Sequence, residues 1–467
     1  MLLGLDLGTG SCKALLLESN GTVVGEASRH YAVQAPQAGW AETNPLEWWK
    51  AIQEATREAV GEFAAEVRAI GLSGQMHGVV LTDAAGAPIK NAILWSDTRS
   101  RTVLGQFTKL QKQQLERLNN PIVAGMLGST LLWLRQEGQL KEATYAFLPK
   151  DWLRLQLTAQ VATDPSDASA TLLYDLLQDD WAWDVLETLG LPPLLPPLLA
   201  SDAIAGTLTL GAAAALGLKP GIPVATGGGD TPCAMLGNGI LEPNTAQLSV
   251  GTGGQIVLPQ HHTQHSPSTH CYRTTLLETK YYVMSAMQNA GLALERVRGW
   301  LGVEWRQFHN LAFSVSDTQG LIFLPYLSGE RTPHLSALLR GAFLNLSLQH
   351  TQAHLARAAL LGVALSLKDG LDVLSNIHTL RLVGGGSLEP RWRQLLCDVL
   401  GVPLFSSGVA NASARGAALL AGLATKTYQN ALETVHHLPE PQMVATPERD
   451  YTEARAQFRA ALGRSLP

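Results

Sequence analysis

Leu5-Asp6-Leu7-Gly8-Thr9-Gly10 near the start of the chain and Leu248-Ser249-Val250-Gly251-Thr252-Gly253 past its middle are two versions of one phrase, an apolar strand that runs into a Gly-Thr-Gly turn. After the first copy, residues 13–17 form a second apolar run. Asn20-Gly21 then supplies a two-residue turn that tolerates the positive φ a hairpin needs, so a third strand is expected over 22–33. A repeat at this distance predicts two related domains facing each other across a cleft. Only the first copy carries an acid, Asp6; Ser249 stands in its place in the second.

Another pair has a different form. Pro223-Val224-Ala225-Thr226 leads into Gly227-Gly228-Gly229-Asp230, and Leu380-Arg381-Leu382-Val383 leads into Gly384-Gly385-Gly386-Ser387. Each reads as strand, glycine turn and helix, and Pro232 and Pro390 fall where a helix loses nothing by a missing amide. Elsewhere, Asn44-Pro45 opens an amphipathic helix that runs to Phe63, strand-like runs cover 69–74, 79–83 and 92–97, and a long helix is expected from Ala353 to Leu374. The alternation defines an α/β protein. Residues 1–238 are read as the first domain and 239–425 as the second, with 426–467 a tail packed on the second domain and adding little.

A length of 467 residues with 46% hydrophobic and 16% charged side chains suits two globular domains rather than a disordered chain. The formal net charge of -5 gives no basic field for nucleic acid or an anionic membrane. The opening MLLGLDLG lacks a basic leader and reaches Asp6 before any apolar stretch long enough to span, so a cytoplasmic protein is expected. Cys12, Cys233, Cys271 and Cys397 lie far apart and read as buried thiols. His261, His262, His265 and His270 sit in a polar segment without carboxylate or thiolate support, and are read as a surface loop rather than a metal site.

The glycine turns suit an anion, because successive amides can converge on one group where no Cβ blocks approach. Two such turns on opposing domains could hold a triphosphate, with Thr9 and Thr252 offering hydroxyls; a single Gly-Thr-Gly turn is more often a plain hairpin. Asp6, beside the first turn, is placed to hold Mg²⁺ through its hard oxygens. The bare backbone at Gly384 to Gly386 leaves room for a flat purine or its ribose. Asp230 starts a helix whose dipole is expected to keep it ionised near its ordinary value, either as a simple cap or as a carboxylate that orients an attacking alcohol.

The motifs extend further: ETNPLEWW ending at Trp49, LSGQMHG at 72–78, AILWSDTR at 92–99, LPKDWLRL at 148–155, GGGD at 227–230 and LPYLSGERTPH at 324–334. Together, from the first strand to about Gly422, they resemble the FGGY carbohydrate kinases, and within them the xylulokinase group. The resemblance implies two ribonuclease-H-like domains of the actin and hexokinase type with a nucleotide cleft between them. It implies ATP-dependent phosphorylation of a sugar hydroxyl, D-xylulose first among the substrates, with another ketose such as ribulose, a polyol such as glycerol, or a silent nucleotide sensor as alternatives. By position, Asp230 would be the catalytic base and Asp6 and Asp230 the Mg²⁺ ligands. Gly8, Thr9, Gly10, Gly251, Thr252 and Gly253 would hold phosphate, and Gly384, Gly385 and Gly386 the nucleotide. Gln75, Met76, His77, Asp230 and Thr231 would meet the sugar. Its partners would be ATP and a small sugar, with no nucleic acid or membrane and room for a homodimer. The chain departs from the pattern at Thr231, where asparagine is usual, at GSTLLW over 128–133, which lacks the usual lysine, at Asn345, where a glycine is common, and at Pro390, where a polar residue is frequent.

Overall fold

The computed structural model describes residues 1–263, 266–276, 279–383 and 389–465. The first half opens with β1 (Leu2–Leu7), β2 (Ser11–Leu17) and β3 (Val23–His30), an antiparallel meander. The helix α1 (Pro45–Val60) follows, with the Asn44 side chain accepting from the Leu46 amide and Pro45 at the first helical position. It stops at Gly61, and the chain continues to Glu66 as a tighter 3₁₀ turn rather than as the single helix to Phe63 that its periodicity predicts. Then come β4 (Ala69–Gly74), α2 (Pro149–Thr158), β5 (Ile204–Thr207), β6 (Pro223–Ala225), β7 (Gly228–Gly229) and α3 (Asp230–Gly237).

The second half repeats the plan. It contains β8 (Thr245–Val250), β9 (Gly254–Gln260), β10 (His270–Arg273), β11 (Tyr281–Met287), α4 (Gly291–Leu301), α5 (Trp305–Ala312) and α6 (Gln352–Asp372). After these come β12 (Thr379–Val383), α7 (Pro390–Leu400), β13 (Leu404–Ser406), α8 (Ala412–Ala424), β14 (Gln442–Ala445) and α9 (Thr452–Ser465).

The first sheet has the order β5-β6-β4-β1-β2-β3 and the second β10-β11-β9-β8-β12-β13-β14. In each, an antiparallel meander is continued by two parallel neighbours and closed by an antiparallel edge strand. The registers correspond as well: Asp6 lies between Lys13 and Ser73, and Ser249 between Gln255 and Val383. The repeat read from the two Gly-Thr-Gly phrases is therefore a repeat of whole sheets.

Three features differ from the sequence expectation. The run at 92–97 is extended only over Ala92–Ile93, because the Asp97 carboxylate gathers the Ala41 and Arg99 amides and the Arg99 guanidinium and bends the chain around them. Residues 227–229 are not a simple turn. Gly227 kinks at φ 84°, and Gly228 and Gly229 then resume parallel pairing with Ser73 and Gly74. A Cβ on Gly229 would lie 2.9 Å from Met76 Sδ, so its absence is what lets the two motifs interlock. Residues beyond 425 add more than a tail: β14 extends the second sheet, and α9 places Arg459 against Asp369 and Asp372 of α6. Tyr428 also reaches back to the first half, its hydroxyl donating to the Ser19 carbonyl at 3.0 Å.

α8 follows the second sheet in the chain yet packs on the first. A Cβ on Gly4 would sit 1.9 Å from the Ala414 carbonyl oxygen, and one on Gly71 1.8 Å from that of Ala417. α3 and α8 meet at the same closeness, since a Cβ on Gly416 would be 1.9 Å from the Cys233 carbonyl oxygen. Glycine is required at these positions because backbone touches backbone. Among the described residues no helix is long and apolar enough to cross a membrane.

Candidate active site

The two Gly-Thr-Gly turns close β1 to β2 and β8 to β9, and both are tightly held. In the first, the Gly8 amide donates to Ser11 O at 3.0 Å, and Gly8 O accepts from Tyr31 Oη at 2.5 Å and Gln75 Nε2 at 3.2 Å. In the second, the Gly251 amide donates to Gly253 O, while the first amides of α4 at Gly291 and Leu292 donate to Gly251 O and Thr252 O, each at 2.9 Å. The carbonyls are thus tied behind the turns. Thr9 Oγ1 accepts from Trp95 Nε1 at 2.9 Å, which fixes that indole over the first turn.

Among the described residues, two cavities adjoin these turns and a third lies beside Asp230. One of about 720 Å³ lies between Gly251-Thr252, α4, α5 and the start of α7. A second, of about 400 Å³, contains Thr9, Met76, His77, Trp95 and the second turn. A third, of about 660 Å³, is polar and includes Lys13 and Arg393. The second turn borders the first two cavities, and Asp230 and Thr231 border the last two. Asp230 therefore stands where a group held by the turns and a group held beside Met76 and His77 would meet.

Asp230 is the first residue of α3, with Gly229 as the cap. Its Oδ1 accepts from the Thr231 amide at 2.6 Å and from Thr231 Oγ1 at 3.2 Å. Burial and the nearby Asp6 carboxylate nevertheless push its pKa up to about 7. This corrects the expectation that the helix dipole keeps it near its ordinary value; desolvation beside a second acid outweighs a dipole and two hydrogen bonds. Asp6 is itself raised by burial, against the opposing pull of Ser73 Oγ, at 2.9 Å from its Oδ1, and of the Lys13 ammonium.

The turn carrying Asp230 is braced from below by fully buried charges. Lys150 Nζ of α2 lies 2.6 Å from Asp151 Oδ1, 2.8 Å from Asp164 Oδ1 and 3.4 Å from Asp167 Oδ2, and Arg154 shares Asp151 at 2.7 Å. Burial, with the neighbouring Asp151 and Asp164 carboxylates, pushes the Asp167 pKa well above its ordinary value against the pull of Lys150. Asp164 Oδ2 accepts from Ser166 Oγ at 2.5 Å, Ser166 Oγ accepts from the Gly229 amide at 3.1 Å, and Arg154 donates to Thr226 O at 3.0 Å. Both sides of the glycine kink are pinned.

Met76 and His77 line the smaller cavity with Asp230. Gln75 does not line that cavity: its buried amide turns to Gly8 O, while the left-handed backbone at His77 turns the next side chains toward the cavity. Gly10 is at the exposed tip of its hairpin. Gly384, Gly385 and Gly386 lie outside the described residues, as does His265. His261 and His262 are exposed, but His270 is not a surface-loop residue; it is buried on β10 and lines the cavity with Tyr272 and Arg331. The alternation of His270, Cys271, Tyr272 and Arg273 was the available signal, hidden by the polar segment before it. Lys13 was also missed; its place opposite Asp6 emerges only from strand register.

A glycine turn from each half and a carboxylate lining the cavity that both turns border suit a phosphotransferase of the two-domain sugar-kinase class. The chain belongs to the FGGY family of carbohydrate kinases, whose N-terminal domain matches residues 1–237 and whose C-terminal domain matches residues 246–425. It is 33% identical over 487 aligned residues to the xylulose kinase of Escherichia coli, covering 100% of this chain and 99% of that one. It is 31% identical over 458 residues to the glycerol kinase of Bordetella parapertussis, covering 91% and 88%. The crystal structure of a xylulose kinase from Rhodospirillum rubrum superimposes with a TM-score of 0.89 at 27% identity, covering 100% of this chain and 98% of that one.

Proposed function

We propose that this kinase transfers the γ-phosphoryl group of ATP to a hydroxyl of D-xylulose, giving D-xylulose 5-phosphate. The observation that carries the reading is Asp230, a carboxylate with a pKa of about 7 on the wall shared by two cavities. Full-length similarity to xylulose kinases supports the choice of sugar.

In this reading the sugar lies beside Met76 and His77 with the hydroxyl to be phosphorylated at Asp230. Thr231 occupies Oδ1 and leaves Oδ2 to receive the proton. The hydroxyl oxygen attacks the γ-phosphorus, the bond to the bridging oxygen breaks, and ADP departs. A base titrating near neutrality is matched to this task, and the loose transition state needs little more than orientation. The amides of Thr252 and Gly253 take up the charge spread over the phosphoryl oxygens, while the Gly251 amide closes the turn on Gly253 O. The base and ribose of ATP occupy the larger cavity beside α4, α5 and α7.

Asp6 and Asp230 fit Mg²⁺. The Asp6 carboxylate raises the proton affinity of Asp230, a repulsion a cation would relieve, and among the described residues no third ligand completes an all-protein cage. Magnesium favours this arrangement, with one or two carboxylates and the rest water and phosphate. When bound it would neutralise charge on the phosphate oxygens.

A coupled ADP-release assay across D-xylulose, D-ribulose, L-ketoses, glycerol and gluconate tests the substrate. Asp230→Ala should lower turnover by about 10³-fold or more while ATP binding persists. Near-normal turnover in that variant would remove Asp230 from the base role, and preference for glycerol would replace the ketose with a polyol.

A further inference from the structure

The cavity beside Asp230 has a second imidazole that the reading above leaves unused. His77 adopts a left-handed φ of 72°, and its Nδ1 lies 2.7 Å from the Ala170 carbonyl oxygen. A carbonyl only accepts, so Nδ1 carries the proton and Nε2 is a bare acceptor. His270, from the other sheet, has Nδ1 2.8 Å from Tyr272 Oη. Tyr272 is 1% exposed, and its hydroxyl pairs with His270 Nδ1. A buried phenol proton needs an acceptor, so Tyr272 donates and His270 Nδ1 accepts. Burial above all, then the neighbouring His77 ring and the Arg331 guanidinium, hold the His270 pKa down at about 3, so the ring is neutral and its proton is on Nε2. The Tyr272 ring is 5.9 Å from His77 and 5.6 Å from His270 between centroids, and all three rings line the cavity that holds Asp230.

We propose that His270 is a specificity-determining residue whose Nε2–H donates to the keto oxygen of the sugar, while His77 Nε2 accepts from a neighbouring hydroxyl. A ketose has one oxygen that can only accept, and a wall with one fixed donor and one fixed acceptor reads that oxygen's position along the chain. A polyol presents no such atom. The role rests on the sugar-kinase reading of this cavity and goes beyond it by naming the donor, the tautomer and the substrate atom.

The test compares kcat/KM for D-xylulose and the KM for ATP in His270→Phe, His270→Gln and Tyr272→Phe, each checked for an unchanged thermal midpoint. His270→Phe should lose about 10- to 100-fold in kcat/KM for the ketose with the ATP KM unmoved. His270→Gln retains an N–H donor and should recover part of that loss. Tyr272→Phe keeps the imidazole but frees Nδ1 to take the proton, so the ketose loss should appear again, and ¹⁵N NMR should show His270 leaving its Nε2–H form. Retention of ketose kcat/KM within about twofold in both His270→Phe and Tyr272→Phe overturns the role while leaving the substrate reading intact. A wild-type enzyme inactive on every ketose overturns the substrate reading and this role together.

Discussion

Replacing Asp230 with asparagine should make the protein more stable while abolishing its activity, and the gain should depend on pH. The folded state holds the Asp230 proton from the ordinary value of 3.8 up to about 7. Below 3.8 both folded and unfolded chains are protonated, and the residue has no pH-linked effect. Between 3.8 and about 7 only the unfolded chain releases the proton, so stability falls as pH rises; above about 7 the loss is complete. At about 1.4 kcal/mol per pH unit, the ionised carboxylate costs the folded state at most roughly 4 kcal/mol, and its partial contact with the cavity reduces this to about 2–4 kcal/mol. Asparagine is nearly isosteric, its Oδ1 can still accept from Thr231, and it carries no charge toward Asp6. Scanning calorimetry or denaturant unfolding in a chelator, at about pH 8, about 5.5 and about 4, reads the difference. The advantage of Asp230→Asn should be full at the first, about half at the second and nearly gone at the third. An advantage of the same size at every pH would mean that the carboxylate is not held protonated by its surroundings.

Two further substitutions probe the scaffold. Lys150→Met removes the cation common to Asp151 and Asp164 and leaves buried charge uncompensated, so unfolding free energy should fall by about 3–5 kcal/mol in denaturant titration. A loss below about 1 kcal/mol would show that Arg154 suffices alone. Gly416→Ala drives a methyl against the Cys233 carbonyl, and the forced separation of α3 and α8 should cost about 1–3 kcal/mol or more by the same measurement.

What was legible in the sequence is what local chemistry dictates. Glycine and threonine at a strand end specify a hairpin wherever they occur, so both turns and the duplication could be read directly. The Met76-His77 and Asp230 motifs fell beside one cavity because each leaves a strand of the same sheet. The acidity of Asp230 was not legible, since it is set by Asp6 and by burial that only the folded sheet provides. His270 escaped because its meaning comes from Tyr272 two residues on and from His77 in the other half. The turn of Gln75 toward Gly8 was hidden for a related reason: motif membership does not say which way a side chain points. The resumed pairing of Gly228-Gly229 depends on Met76 filling the space, a contact between distant segments.

The seat of α8 on the first sheet has a consequence for biosynthesis. Gly4 and Gly71 leave the ribosome long before Ala414 and Ala417, the residues whose carbonyls close over them. At roughly 5–20 residues per second, the interval between Gly71 and Ala417 is about 20–70 s. During that time the nascent amino-terminal half has one sheet face without its covering helix. Its maturation therefore waits on the synthesis of α8, and a chain cut short before α8 has an incomplete first half as well as an incomplete second one.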